Sequence, residues 1–401
     1  MQTLNHHRQF VILAVIVFIV MCGFFGIDLH LASMPAIQTF MHTDKAHMQL
    51  SVSLYVLGTG LSLFFYGPLS DKYGRKPIVL FGLSIAAAAC LLSTFTHHIT
   101  TFLVLRFLQG FGAGVCAGMG RTILADMFQG DRLATTASYT GVVVSLSPLV
   151  APTIGGYIQH WFGWHAVFVT LALLFFLAGV CFLCLCPESN HHRHDDACSF
   201  KKLRHNYGYI LRQPIFLVST LISGITMSAV IAYATLSAFL LQQHFHLSVV
   251  TYGWVTSAVG TGAIVGRYMS SRSVRYFGRE STIVISQILL VCASLWVALG
   301  LTTHWLTLSW LLIAVFLTIF SQALAQANTT SLALSPFKNK RGAAGTLYGG
   351  FQMLVTFATS AIISHISANP IDILMACYGI LGIIGLMALG IQKMTRPNSA
   401  D

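Results

Sequence analysis

Charge is what this sequence has least of. Asp, Glu, Lys and Arg make up 8% of its 401 residues, against 55% hydrophobic residues, and the mean hydropathy is +0.75. A soluble domain carries about a quarter charged residues, so the composition excludes one. The nine cysteines show neither paired nor metal-type spacing and lie mostly within apolar runs, as small core residues with no redox role. Gly110, Gly114 and Gly118 superficially suggest a nucleotide loop, but no strand precedes them and they sit inside an apolar run. No Walker-type loop is present, so ATP is not the direct energy source. Paired catalytic acids, a nucleophile with its base, and a His/Asp cluster at depth are all missing, so no enzyme is expected.

What is present is a series of apolar runs about 20 residues long, the length that crosses some 30 Å of hydrocarbon as a helix. Backbone groups must be satisfied internally there, which for runs of this length means helices. Twelve spans are expected, at 9–34, 46–69, 77–95, 100–122, 133–158, 164–186, 214–241, 248–270, 281–300, 305–330, 342–366 and 371–392. The first is too long for a signal peptide and is followed by eleven more.

The net charge of +11 does not point to nucleic acid. Of the 22 Lys and Arg residues, all but Lys45 and Arg106 fall at the termini, in the even-numbered loops, or, as Arg121 and Arg267 do, at the span ends that lead into those loops. That is the positive-inside pattern, which puts both termini in the cytoplasm and the basic excess against anionic lipid headgroups.

The longest polar stretch, "PESNHHRHDDACSFKKLRHNYGYILRQP" (187–214), divides the chain into two blocks of six spans. Weak repetition supports the division: "DKYGRKP" (71–77) follows span 2 and "VRYFGRE" (274–280) follows span 8. The expected architecture is an all-α integral membrane protein with twelve transmembrane helices in two pseudo-symmetric six-helix bundles. These are residues 1–186 and 214–401, joined by a cytoplasmic loop at 187–213, with a substrate site between them. The His-rich run at 191–196 reads as a solvated linker, and no metal site is expected.

Only Asp28 and Arg106 sit well inside spans. A charge at the bilayer centre costs about 2.5–3.5 kcal/mol on insertion scales, and such residues mark pathways or proton relays by default. Counting from Phe10, Asp28 lies about 27 Å along its helix, in the outer half. An apolar cavity disfavours the charged form of a carboxylate, so an acid there can bind a proton from one side and release it to the other. Asp28 is thus a candidate for proton coupling; the alternative is a structural carboxylate bonded to a neighbouring helix. His30, two positions on, is off that face and reads as structural. Arg106 cannot deprotonate in practice and needs carbonyls, a carboxylate or an anionic substrate group; one plausible job is to bias the proton affinity of a nearby acid. Glycines 110, 114 and 118, four residues apart, permit close approach of another helix.

The stretch "GPLSDKYGRKP" (67–77) packs a small residue, an acid, a turn glycine and basic residues into one short cytoplasmic loop. Asp71 can meet a helix N-terminus, and Arg75 can pair with Asp126 at the inner end of span 4. Such contacts latch one conformation and release in another. A plain positive-inside turn explains Lys72, Arg75 and Lys76, but not the arrangement around Asp71, Gly67 and Gly74.

This loop resembles the loop 2–3 signature of the major facilitator superfamily. Arg106, Gln109 and Gly110 match that superfamily's R-x-x-Q-G pattern. Span 5, "SLSPLVAPTIGGYI", resembles the motif associated with its antiporters: Pro148, Pro152, Gly155 and Gly156 are present, but Ala151 replaces the first glycine of G-P-x-x-G-G. Ser147 and Ser138 replace upstream glycines. The Asp28 segment and "ANTTSLALSPFKNKRGAAGTLYGGFQ" resemble the bicyclomycin- and chloramphenicol-resistance type of drug:proton antiporter. The resemblance implies a rocker-switch cycle, with the span 5 motif a bent helix at the interface between halves.

Candidate cavity residues are Phe25, Tyr55, Gln109, Tyr233, Trp254, Gln322, Gln326, Tyr348 and Gln352. The function expected is a proton-coupled efflux transporter of small organic molecules in a bacterial inner membrane, working as a monomer without a cofactor. Export of one dedicated metabolite, such as a siderophore, is the alternative, and uptake by symport is weakened by the span 5 motif. The partners expected are the substrate, protons and membrane lipid.

Overall fold

The computed structural model describes residues 6–128, 130–190, 199–337 and 340–395, so the His-rich run at 191–196 lies outside the described residues. Within them the chain is helical. The first half holds α1 (His6–Asp28), a 3-10 turn (Leu31–Ser33), α2 (Met34–Phe40), α3 (Lys45–Tyr73), α4 (Arg75–Ser93), α5 (Ile99–Met127) and α6 (Gly130–Leu185). After α7 (Phe200–Leu211), the second half holds α8 (Pro214–Phe239), α9 (Val249–Thr302), α10 (Leu308–Leu334), α11 (Arg341–His365) and α12 (Pro370–Thr395). Ten helical stretches of the described residues are long and apolar enough to cross a membrane.

Two of them, α6 and α9, contain a non-helical glycine: Gly163 (φ 79°) and Gly278 (φ 80°). Glycine accepts that left-handed backbone without a Cβ penalty, so each long helix changes direction there. Helix starts carry their own signals. The side chains of Asp44, Ser248 and Thr307 accept from the backbone N–H of His47, Thr251 and Trp310, satisfying donors the first turn leaves open. Pro214 opens α8, where its missing N–H costs nothing.

Three features depart from the sequence pattern. The single run expected over 9–34 stops at Asp28 and resumes as α2, with Pro35 in the first turn of α2, where its missing N–H costs nothing. The polar stretch 271–280 stays helical up to Gly278, since it holds no breaker before that glycine. The connecting loop 187–213 contains α7, whose Leu203, Tyr207, Ile210 and Leu211 share one face.

Packing is set by small residues. Gly110, Gly114 and Gly118 all turn to α3: a Cβ on them would meet Tyr55 O, Ser62 Oγ and Leu63 Cδ2, respectively. The chain halves meet along two helix pairs. α3 lies on α11, with Ser53 Oγ 2.7 Å from Ser360 Oγ. α6 lies on α9, with Thr153 Oγ1 2.6 Å from Ser257 Oγ.

Candidate functional site: a helix break, a buried arginine and an inner clamp

Asp28 is the last residue of α1, at the break. Directly behind it, Leu29 O lies against Gly155 of α6, where any Cβ would collide with that carbonyl. Gly156 rests on Val249 O, and Gly253 and Gly260 of α9 rest on the backbone of Pro152 and Pro148. The Pro148–Gly156 segment is therefore wedged between the α1 break and α9, at the seam of the two halves. Asp28 is half-buried and, among the described residues, forms no hydrogen bond or ion pair. Its carboxylate lies within electrostatic reach of Tyr55 on α3 and of Tyr252 on α9. Tyr252 in turn bonds Ser237 of α8 at 2.9 Å. Among the described residues Asp28 thus has no fixed partner, and its charge is felt on helices of both halves.

Arg106 is fully buried. Its Nη1 donates to Gly26 O at 3.1 Å and to Gln109 Oε1 at 2.5 Å, and its Nε donates to Ser51 O at 3.3 Å. The guanidinium carbon lies 4.7 Å from the Tyr55 ring centre and 6.0 Å from that of Phe168. Carbonyl dipoles and aromatic faces, rather than a carboxylate, hold this cation. It ties α5 to α1 and α3, and among the described residues it forms no ion pair with Asp28. His30 is fully buried with Nδ1 2.9 Å from Ile27 O. That nitrogen therefore carries the proton, and the 3.4 Å approach of Arg106 to it is no hydrogen bond.

At the inner end, Gly74 (φ 104°) turns the chain from α3 into α4. Arg75 donates from Nε to Asp126 Oδ2 at 3.0 Å and from Nη1 to Asp71 Oδ1 at 2.6 Å and Ser70 Oγ at 2.5 Å. The expected Arg75–Asp126 pair is thus present. The carboxylate at a helix N-terminus, however, is Glu188 rather than Asp71: it accepts from Arg75 N at 2.9 Å and Lys76 N at 3.0 Å. Asn190 Nδ2 donates to Ser70 O and Asp71 O, both at 3.1 Å, and Lys76 Nζ donates to Leu183 O at 2.7 Å. Ser189 Oγ reaches Asp126 Oδ2 at 3.3 Å. So "ESN" after α6 clamps the 67–77 loop from below, exchanging helix caps with it. Gly67 faces Thr346 of α11 in the other half.

The proposed cavity residues divide. Gln322, Gln326, Tyr348 and Gln352 form one network. Gln326 Oε1 accepts from Gln352 Nε2 at 3.0 Å, Gln322 Nε2 at 3.3 Å and Ser223 Oγ at 3.3 Å. Tyr348 OH donates to Ser223 Oγ at 2.7 Å and accepts from Thr330 Oγ1 at 3.0 Å. Tyr55 and Gln109 belong to the Arg106 site; Tyr55 OH also donates to Gly23 O at 2.8 Å. Phe25 and Tyr233 are buried. Trp254 is exposed and donates to Tyr157 OH at 3.2 Å, so it joins neither group. Ser223 and Thr330 were not legible beforehand, because membrane-helix Ser and Thr ordinarily bond their own helix carbonyls, as most do here.

A broken first helix carrying an acid, a helix with two prolines and two glycines wedged at the seam and a charged inner turn fit a polytopic membrane protein of the transporter class. The sequence matches the Major Facilitator Superfamily over residues 16–360, and the chain belongs to that family. It is 26% identical over 347 residues to a bicyclomycin resistance protein homolog of Haemophilus influenzae, covering 86% of this chain and 85% of that one. It is 27% identical over 394 residues to multidrug resistance protein D of Escherichia coli K12, covering 95% and 96%. The fold is similar to that of the xylose transporter XylE from E. coli in a partially occluded inward-open conformation, with TM-score 0.73 at 13% identity over 98% of this chain and 99% of that one.

Proposed function

We propose that this protein exports small organic molecules in exchange for protons by alternating access, across a bacterial inner membrane. Its twelve crossings form two six-helix bundles, residues 1–186 and 214–401, with both termini in the cytoplasm; the crossings within α6 and α9 are divided at Gly163 and Gly278. The observation that carries the reading is Asp28: an acid without a partner among the described residues, at a helix break, on the seam between the halves and within electrostatic reach of Tyr252 on the far side. Protonation from outside neutralises it, and deprotonation inside accompanies substrate loading. Arg106 acts on this cycle by fixing the geometry of α1 rather than by pairing with the acid. The names of the relatives support drugs as cargo, and the uncharged network around Gln326 suits neutral hydrogen-bonding groups. The protein works as a monomer, with no cofactor and with the proton gradient as its energy source.

The test uses protein in proteoliposomes with an internal pH dye and an imposed gradient, challenged with lipophilic cations, neutral antibiotics and iron chelators. Proton movement evoked by drugs supports the reading. Movement evoked by chelators alone shows a dedicated metabolite exporter instead. Substrate accumulation along the direction of proton flow shows symport and refutes it.

A further inference from the structure

Helix α7 is too short and too polar to cross a membrane, yet it is fixed to the bundle. Ile210 on its apolar face is fully buried among Phe216, Phe337, Leu347 and Tyr348. On the same face Tyr207 OH lies 3.5 Å from Phe64 O of α3. The hydroxyl is also close enough to Asp71 to be felt electrostatically; burial, and then that charge, raise its pKa. So α7 bridges both chain halves beside the 67–77 loop.

Its other face is basic and concave. Lys201, Arg204, His205, Gly208, Tyr209 and Arg212 line a hollow of about 450 Å³. Among the described residues nothing stands within 4 Å of where a Gly208 Cβ would be, so the middle of the hollow is open to them. No Asp or Glu occurs between residues 199 and 213, and among the described residues none of these cations is in an ion pair. Lys340 adds a further cation at the rim, 4.9 Å from the Tyr209 ring centre. The depth of the hollow follows from the chain: Arg212 stands two residues before Pro214, the first residue of membrane helix α8. A helix end so placed lies at headgroup level.

We propose that this face of α7 binds the phosphate headgroups of anionic phospholipids in the adjoining leaflet. Arg offers a rigid fork of donors to phosphate oxygens and Lys a mobile point charge. Attraction of basic side chains to an anionic leaflet is strong enough to hold an amphipathic segment at the surface. The packed apolar face already fixes α7 in place, so binding need not order it. A lipid held there fastens a helix that touches both halves, and lipid composition thereby enters the conformational equilibrium of the transporter.

The test is native mass spectrometry of the full-length protein from micelles holding phosphatidylcholine and phosphatidylglycerol in equal amounts. Two triple variants are compared: Lys201→Gln with Arg204→Gln and Arg212→Gln on α7, and Arg272→Gln with Arg275→Gln and Arg279→Gln on α9. All six side chains are exposed, and unchanged melting temperatures verify that both variants fold. The parent and the α9 variant should retain phosphatidylglycerol in preference to phosphatidylcholine, and the α7 variant should lose that preference by about tenfold or more. Retention by the α7 variant, equal loss in both variants, or displacement of the lipid by an equal concentration of inorganic phosphate would overturn the proposal. The readout needs no transport, so it stands or falls separately from the efflux reading.

Discussion

Glu188 gives its two carboxylate oxygens to the first two N–H groups of α4, where the helix dipole favours negative charge. Desolvation raises its pKa, but the N–H donations from Asn190, Lys76 and Arg75 outweigh it and hold the carboxyl below the usual range. A folded-state pKa lowered in this way stabilises the fold above the unfolded value of about 4.3, and that contribution is lost as pH falls through the lowered value. Glu188→Gln should therefore cost about 1 kcal/mol near neutrality, seen as a lower melting temperature in detergent. The gap to the parent should close in acid; a gap that widens there means the charge is not what caps the helix. Arg106→Lys should cost about 2 kcal/mol, because an ammonium cannot reproduce the fork that serves Gly26 O, Ser51 O and Gln109. An unchanged melting curve would mean that those carbonyls do not need the guanidinium. Asp28 and Arg106 were legible in the sequence because a charge inside an apolar run stands out. Glu188 was not, because a carboxylate in a polar loop looks solvated until the fold brings it under α4.

At the scale of helices, close approach decides what is tolerated. A Cβ at Gly110 would strike the backbone of Tyr55, which cannot move aside. Gly110→Ala should thus destabilise by about 3 kcal/mol. Gly345→Ala, in a helix with nothing within 4 Å of its Cβ position among the described residues, should be neutral or stabilise by up to about 1 kcal/mol. Thermal unfolding of the two variants side by side checks this, and equal effects would show that the α3–α5 contact is looser than its geometry implies. The four-residue spacing of Gly110, Gly114 and Gly118 was readable as a packing face, and all three do turn to α3. The break after Asp28 was not read, because hydropathy continues through it and only Pro35 marks it. In the linker the apolar spacing of α7 was masked by its basic residues, and by the expectation that a polar stretch is solvated.

For the whole molecule, the two halves touch at the inner end as well as along the seam. Gly67 faces Thr346 across the halves, and a Cβ there would lie 2.9 Å from Thr346 Oγ1. Cysteines at both positions would stand near disulfide range. If the inner ends must part to load substrate, oxidising Gly67→Cys/Thr346→Cys should stop transport and reduction should restore it. Undiminished transport with the crosslink complete would mean that this contact never opens. The hydropathy pattern showed the helical class and the inner turn; which groups meet across the seam depends on packing between helices far apart in sequence, which no periodicity encodes.

The central claim is that Asp28 couples proton to substrate, and the most direct measurement compares two fluxes in proteoliposomes containing the parent or Asp28→Asn. One is substrate-for-substrate exchange, which needs the conformational cycle alone; the other is substrate-evoked proton movement. A coupling acid predicts that Asp28→Asn keeps exchange while proton movement disappears. Equal proton movement in both proteins would contradict the claim and leave Asp28 as a residue of the helix break only.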